Sequence, residues 1–293
     1  MEKTVPTTLK PLVTIRPSSG WAALNLREIW QFRDLLLTLA GRDIKLRYRQ
    51  TAIGVVWVVL QPLISAIIIT FVFSKIANIP SPGAFPYFVF AYAGLLGWQA
   101  FSSTLSKASN CLVGNSQLVS KVFFPRLVLP ISTVFSTLID FGVALVVMFA
   151  LMVWNHVVPT PAILTLPLWL LLILMVAMGV GMLAAAMMVS YRDVQYILPV
   201  VISFLQWGSP VGYAVSFVMA KLAVQYHSPY VMQLYMMNPL ASLFEGLRWS
   251  LLGSTAPVPA WGWVGYAVLC SVGVFVWGAF GFKKMERKFA DVI

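Results

Sequence analysis

Charged and apolar positions segregate sharply along this chain. Arg42, Asp43, Lys45, Arg47 and Arg49 form a cluster, and after it no Asp, Glu, Lys or Arg occurs until Lys75. A helix of about 20 apolar residues crosses the hydrocarbon core of a bilayer, so residues 50–74 suffice for one crossing. Comparable runs recur, and together they predict six spans, at about 52–73, 87–106, 127–154, 166–189, 196–215 and 261–282. Pro62 lies inside the first and is expected to kink it, because proline removes a backbone donor and crowds the preceding turn.

Two segments break this pattern. Before the first span, Arg27, Gln31, Asp34 and Thr38 draw a polar stripe at helical spacing, and Ile29, Phe32, Leu36 and Leu39 draw an apolar one. Residues 26–49 are therefore expected to form an amphipathic helix in the membrane interface. Between spans 5 and 6, residues 216–260 are apolar yet interrupted by Pro229, Pro239, Pro257 and Pro259, and charged by Lys221, Glu245 and Arg248. They predict two short re-entrant helices that cap or gate a cavity, since irregular backbone at membrane depth survives only against protein or water. Glu245 and Arg248 stand one helical turn apart, in position to pair. The fold class expected is thus an all-α integral membrane domain over 26–288, between a Pro-containing tail (1–25) and a basic tail (283–293).

Composition agrees. Of 293 residues 60% are hydrophobic and 10% charged, where a water-soluble domain carries about 25% charged residues. The net charge of +11 is accounted for by topology and calls for no nucleic-acid partner. Seventeen of the twenty lysines and arginines fall on segments assigned to the cytoplasm, and only Lys75, Lys221 and Arg248 fall outside. That bias fits six spans with both termini cytoplasmic. Trp154, Trp169, Trp261 and Trp263 lie near span ends, where tryptophan anchors at the interface. Residues 1–25 lack the continuous apolar region of a secretory signal.

Little in the sequence suggests catalysis. Asp140 is the one acid deep in a span, with Ser136 and Thr137 near enough to satisfy it, whereas an ion-coupled carrier usually buries several ionisable groups. His156 and His227 have no Cys or carboxylate at ligand spacing, so neither a metal site nor a bound cofactor is expected. Cys111 and Cys270 lie far apart and are not expected to pair. The phosphate-loop pattern GxxxxGK[ST] does not occur. If the protein consumes ATP, another chain hydrolyses it. One predicted cytoplasmic loop, 107–126, holds Phe123, Phe124 and Pro125 between Lys121 and Arg126. This is either a span-start anchor or a docking knob for a soluble partner, where aromatic and arginine side chains dominate binding.

Four ordered motifs decide between these readings: RDIKLRYRQTAIGVVWVVLQPL (42–63), LVSKVFFPRLVLP (118–130), YRDVQ (191–195) and SPVGY (209–213). Together they resemble the transmembrane subunit of type-2 ABC exporters of surface polysaccharides, the O-antigen, capsule and teichoic-acid permeases. The resemblance covers nearly all of 26–288. It implies a homodimer bound to two copies of a separate ATPase, which holds ATP and Mg, in the bacterial inner membrane. It also implies docking to that ATPase through Arg27, Gln31, Asp34, Lys121, Phe123, Phe124, Pro125, Arg126, Arg192 and Asp193. A conduit for a lipid-linked glycan would lie between protomers, for which Trp57, Gln61, Gln206, Trp207 and Tyr213 are lining candidates, with Glu245 and Arg248 in the gate segment. Two alternatives stay open: a type-2 permease for a smaller lipid or drug, and a membrane-embedded enzyme acting on lipid-linked sugars.

Overall fold

The computed structural model describes residues 26–49, 54–226, 229–253 and 259–292 and is all-helical over them. The chain enters as α1 (Leu26–Gln31) and α2 (Arg33–Arg49), separated by Phe32, whose N–H donates to the Ile29 carbonyl. Next come α3 (Gly54–Thr70), which winds into a π-helical turn at Phe71–Ile76, and α4 (Tyr87–Asn110). α4 carries Gln99, Ser102, Ser103, Thr104, Ser106 and Lys107. Side chains of that polarity are costly against lipid but useful as contacts between helices. Accordingly α4 packs against α3, α6 (Val128–Trp154), α7 (Leu166–Ser190) and α11 (Pro239–Leu252), and residues 89–98 are buried without interruption.

Among the described residues, four segments are long and apolar enough to cross a membrane: Val56–Ile76, Val128–Trp154, Pro161–Ser190 and Trp261–Glu286. The last belongs to α12 (Trp261–Val292), which lies along α7. Apolar side chains such as Val146, Val153, Leu171 and Leu269 point outward and remain exposed. Oily surfaces on several long helices belong to a multi-pass membrane protein.

Several boundaries depart from the sequence expectations. α4 runs to Asn110, so Lys107 sits in its last turn instead of opening a loop. The short helix α5 (Ser116–Lys121) then occupies the expected loop. The fifth apolar run forms only α8 (Val194–Gly208), 15 residues long, or about 22 Å of helix at 1.5 Å per residue. It breaks at Ser209, and α9 begins at Val215 (Val215–Tyr226). Hydropathy cannot see this break, because Pro210, Val211 and Ala214 keep the run apolar. Among the described residues, the segment beyond it holds the helices α9, α10 (Pro229–Met236) and α11. Asn238 starts the last of these. Its side chain accepts from the Leu240 N–H at 3.1 Å, and Pro239 fills the first helical position, a pairing favoured at helix starts. Trp169 is also not an interface anchor. It is buried against Gly246 of α11, where a Cβ would strike its ring, and its indole N–H donates to Thr165 Oγ1 at 3.0 Å. Trp154 and Trp261 are exposed.

Candidate functional site

Backbone that leaves a helix inside an apolar bundle must find partners for its carbonyls. The SPVGY stretch between α8 and α9 meets this demand through side chains from elsewhere in the fold. Arg248, in α11, is only 2% exposed. Its guanidinium donates to the carbonyls of Pro210, Val211 (2.8 Å) and Tyr213 (3.2 Å). Tyr87, at the start of α4, donates its hydroxyl to the Gly212 carbonyl at 2.6 Å. The Asn238 amide donates to the Gly208 carbonyl at 3.3 Å and to Ser209 Oγ at 2.9 Å. The Phe90 ring lies under the guanidinium, 4.3 Å from centroid to Cζ, within cation–π range. Gly94 completes the fit, because a Cβ there would run into the Val211 carbonyl and the Arg248 guanidinium.

Glu245 and Arg248 make no ion pair within 4 Å, and although each charge still acts on the other, the hydrogen bonds of the arginine go to backbone. Both residues are buried in α11, and the two terminal guanidinium nitrogens go to the three carbonyls while Nε finds no hydrogen-bond partner. Of the lining candidates, Tyr213 lies at this corner. Its hydroxyl donates to the Trp207 carbonyl at 2.8 Å, and its ring stands 6.1 Å from that of Phe73 in the π-helical turn. Gln206 is half-buried and Trp207 exposed at the end of α8. Trp57 and Gln61 are exposed near the start of α3, and 16 residues of helix, about 24 Å, separate Trp57 from Phe73. A single chain therefore does not gather the five candidates into one lining.

The opposite end of the bundle is basic and open. Arg27, Gln31, Asp34, Lys121, Arg192 and Asp193 are all exposed. Of the two aromatics held between cations, Phe123 is 69% exposed, whereas Phe124 is 5% exposed and joins a core cluster with Leu39, Leu112 and Met182. Pro125 is buried beside it. Arg126 is half-buried, with its backbone N–H 3.3 Å from a Glu286 carboxylate oxygen and its guanidinium donating to the Glu286 carbonyl at 2.8 Å. Arg126 therefore ties the loop to α12 while Phe124 packs into the core, leaving Lys121 and Phe123 outermost.

Two contacts that sequence reasoning missed organise this end. Asp43 orients the Arg42 guanidinium (2.9 and 3.1 Å), which donates to Asn115 Oδ1 at 2.7 Å. The Asn115 amide in turn donates to the Cys111 carbonyl at 2.8 Å, so α2 is tied to the turn that follows α4. A groove of about 530 Å³ opens there, lined by Arg42, Asn115, Gln117 and Lys121 among others. Burial pushes the Cys111 thiol well above its ordinary pKa. Deeper in the bundle, Lys107 Nζ reaches Asp140 Oδ2 at 3.0 Å and Ser136 Oγ at 2.9 Å. Ser136 and Thr137 do lie beside Asp140, as spacing suggested, but they share Lys107 with it. The one available signal was a lysine just past the predicted end of one span and a lone acid inside the next.

Comparison with known proteins identifies the family. Residues 34–252 match the model of the ABC-2 type transporter family. The chain is 31% identical over 225 residues to the O-antigen export system permease protein RfbA of Myxococcus xanthus, spanning 76% of this chain and 82% of that protein. It is 25% identical over 262 residues to a protein of the same name from Klebsiella pneumoniae, spanning 89% of this chain and 95% of that one. The matched region takes in α2, the 107–126 segment, the corner and α11, so the chain belongs to the ABC-2 type transporter family.

Proposed function

We propose that this chain is the permease subunit of an ATP-driven transporter that exports a lipid-linked surface polysaccharide across the bacterial cytoplasmic membrane. The observation that carries this reading is the likeness to the Myxococcus xanthus O-antigen export permease over three-quarters of the chain. In this reading the chain crosses the membrane six times. α4 and α8 join the four long apolar segments, and α9–α11 re-enter from the outer side as the gate segment. α4 needs little apolar surface because protein surrounds it, and α8 is short because the capped corner takes over where it ends. Both termini face the cytoplasm, in line with the basic end. The chain works as a homodimer with two copies of a separate ATPase that binds ATP and Mg.

That ATPase docks on the basic end, against the exposed polar face of α1–α2 (Arg27, Gln31, Asp34), against Lys121 and Phe123, and against Arg192 and Asp193. Phe123 is the natural anchor, since an exposed aromatic beside a cation gains much by burial at an interface. Nucleotide-driven movement of the ATPase reaches the spans through the Arg42–Asn115 tie. The glycan passes between protomers along the outward faces of α3 and α8, where Trp57 and Trp207 offer flat apolar faces for sugar rings.

The test is a deletion strain complemented with tagged protein. Loss of surface polysaccharide, its return on complementation, and a co-purifying ATPase in equal amount that is lost with Phe123→Ala are the expected results. Unchanged surface polysaccharide in the deletion strain, or a tagged protein that emerges alone, refutes the reading.

A further inference from the structure

The corner at 209–213 invites reading as a hinge, since a helix broken at membrane depth is a common site of motion. Its hydrogen bonds argue otherwise. Four consecutive carbonyls, those of Pro210, Val211, Gly212 and Tyr213, include none that is left to lipid or water. Arg248 takes three, Tyr87 takes one, and Asn238 covers Gly208 and Ser209 behind them. The clamping side chains come from two helices, α4 and α11, that also pack on each other through Phe244 and Leu247 against Gly97. Opening the corner would strand several acceptors and a guanidinium at once, and each buried group left unmatched is penalised.

We propose that Arg248 is a permanent backbone clamp: it holds the SPVGY corner closed throughout the transport cycle, so that α4, the corner and α11 move as one body. Arg248 is then a positioning residue. Its charge serves the carbonyls of its own chain and is unavailable to an anionic cargo. Gly94 is part of the same device, because only a residue without Cβ lets α4 approach the clamped carbonyl. Movement that opens a path must occur at the edges of this body. One such edge is the π-helical turn of α3, which meets it through Ile69 and Phe73 against Gly212, and Phe73 against Tyr213. The clamp itself is read from the fold, and only its behaviour during turnover rests on the transport reading.

Ser209, fully buried, is the reporter. The protein is the full chain with whatever subunits co-purify, Cys111 and Cys270 replaced by alanine, and Ser209→Cys as the sole thiol. We expect this thiol to resist a small maleimide at rest and to stay equally resistant during ATP turnover. Adding Arg248→Met should raise the labelling rate at least tenfold, and Arg248→Lys should raise it less, since one ammonium cannot span three carbonyls. In a parallel protein that keeps Cys111 and lacks Ser209→Cys, Cys111 should stay protected in the presence of Arg248→Met, which separates local opening of the corner from unfolding. Labelling that accelerates under ATP overturns the permanent clamp. An Arg248→Met protein whose Ser209→Cys stays as slow as before overturns the clamp altogether. Should the deletion strain keep its surface polysaccharide while the Arg248→Met result is as expected, the cargo assignment fails and the clamp stands.

Discussion

The corner and the basic end both concentrate polar groups, and they dispose of them in opposite ways. At the corner Arg248 is 2% exposed and directs both terminal guanidinium nitrogens to backbone of its own chain. At the basic end the Asp34 side chain is 90% exposed and Phe123 is 69% exposed. The difference follows from solvent. Where water is absent, a polar group must be matched internally, and its role becomes architectural. Where water is present, an unmatched group costs little and is left for a partner. Charge at depth in this protein therefore marks structure, and charge at the basic end marks availability.

This contrast can be broken by mutation, most forcefully at the corner. Arg248→Met leaves three carbonyls without their donor, at about 1–3 kcal/mol each. Folded protein recovered from membranes should fall more than tenfold, as read by size-exclusion profile, and the folded peak that remains is the material in which Cys111 stays protected. The Lys107–Asp140 pair ranks next. Lys107→Met removes the cation beside a buried carboxylate, for which about 3–5 kcal/mol is typical, whereas Lys107→Met with Asp140→Leu should regain most of that stability in thermal unfolding in detergent.

The neighbouring phenylalanines sharpen the comparison within two residues. Phe124→Ala empties a buried site and should cost about 3 kcal/mol. Phe123→Ala should change stability by no more than about 0.5 kcal/mol while abolishing ATPase co-purification. Equal losses of stability for the two would collapse the distinction. The smallest effect is expected at the Arg42–Asn115 tie, where Asn115→Ala should cost about 1 kcal/mol and weaken the coupling of ATP hydrolysis to export more than it weakens folding. Cys111 supplies an internal check. Its thiol is buried and its pKa raised, and thiolate is the reactive form, so alkylation at pH 8 should await unfolding.

Membrane character, the start of the first apolar run after Arg49, and the exposed polar stripe of α1–α2 were legible in the sequence. Each depends on a local property, either the length of an apolar stretch or helical periodicity. Phe124 was harder. It stands beside Phe123 between the same two cations, and nothing local says which ring turns inward. The core cluster of Leu39, Leu112 and Met182 that receives Phe124, together with Glu286 holding Arg126, settles it.

The sequence alone thus determined that this chain lives in a membrane, which segments are apolar enough to enter it, and that most of its charge lies outside them. These are one-dimensional facts, fixed by transfer of side chains between water and hydrocarbon. Only the tertiary structure decided that the fifth run ends at Gly208, that Lys107 reaches Asp140, and that Arg248 turns to backbone instead of Glu245. Each of these joins residues at least thirty positions apart. The physical reason is that hydropathy measures whether a segment tolerates lipid, whereas a break in a buried helix is tolerated only when distant donors arrive at its carbonyls.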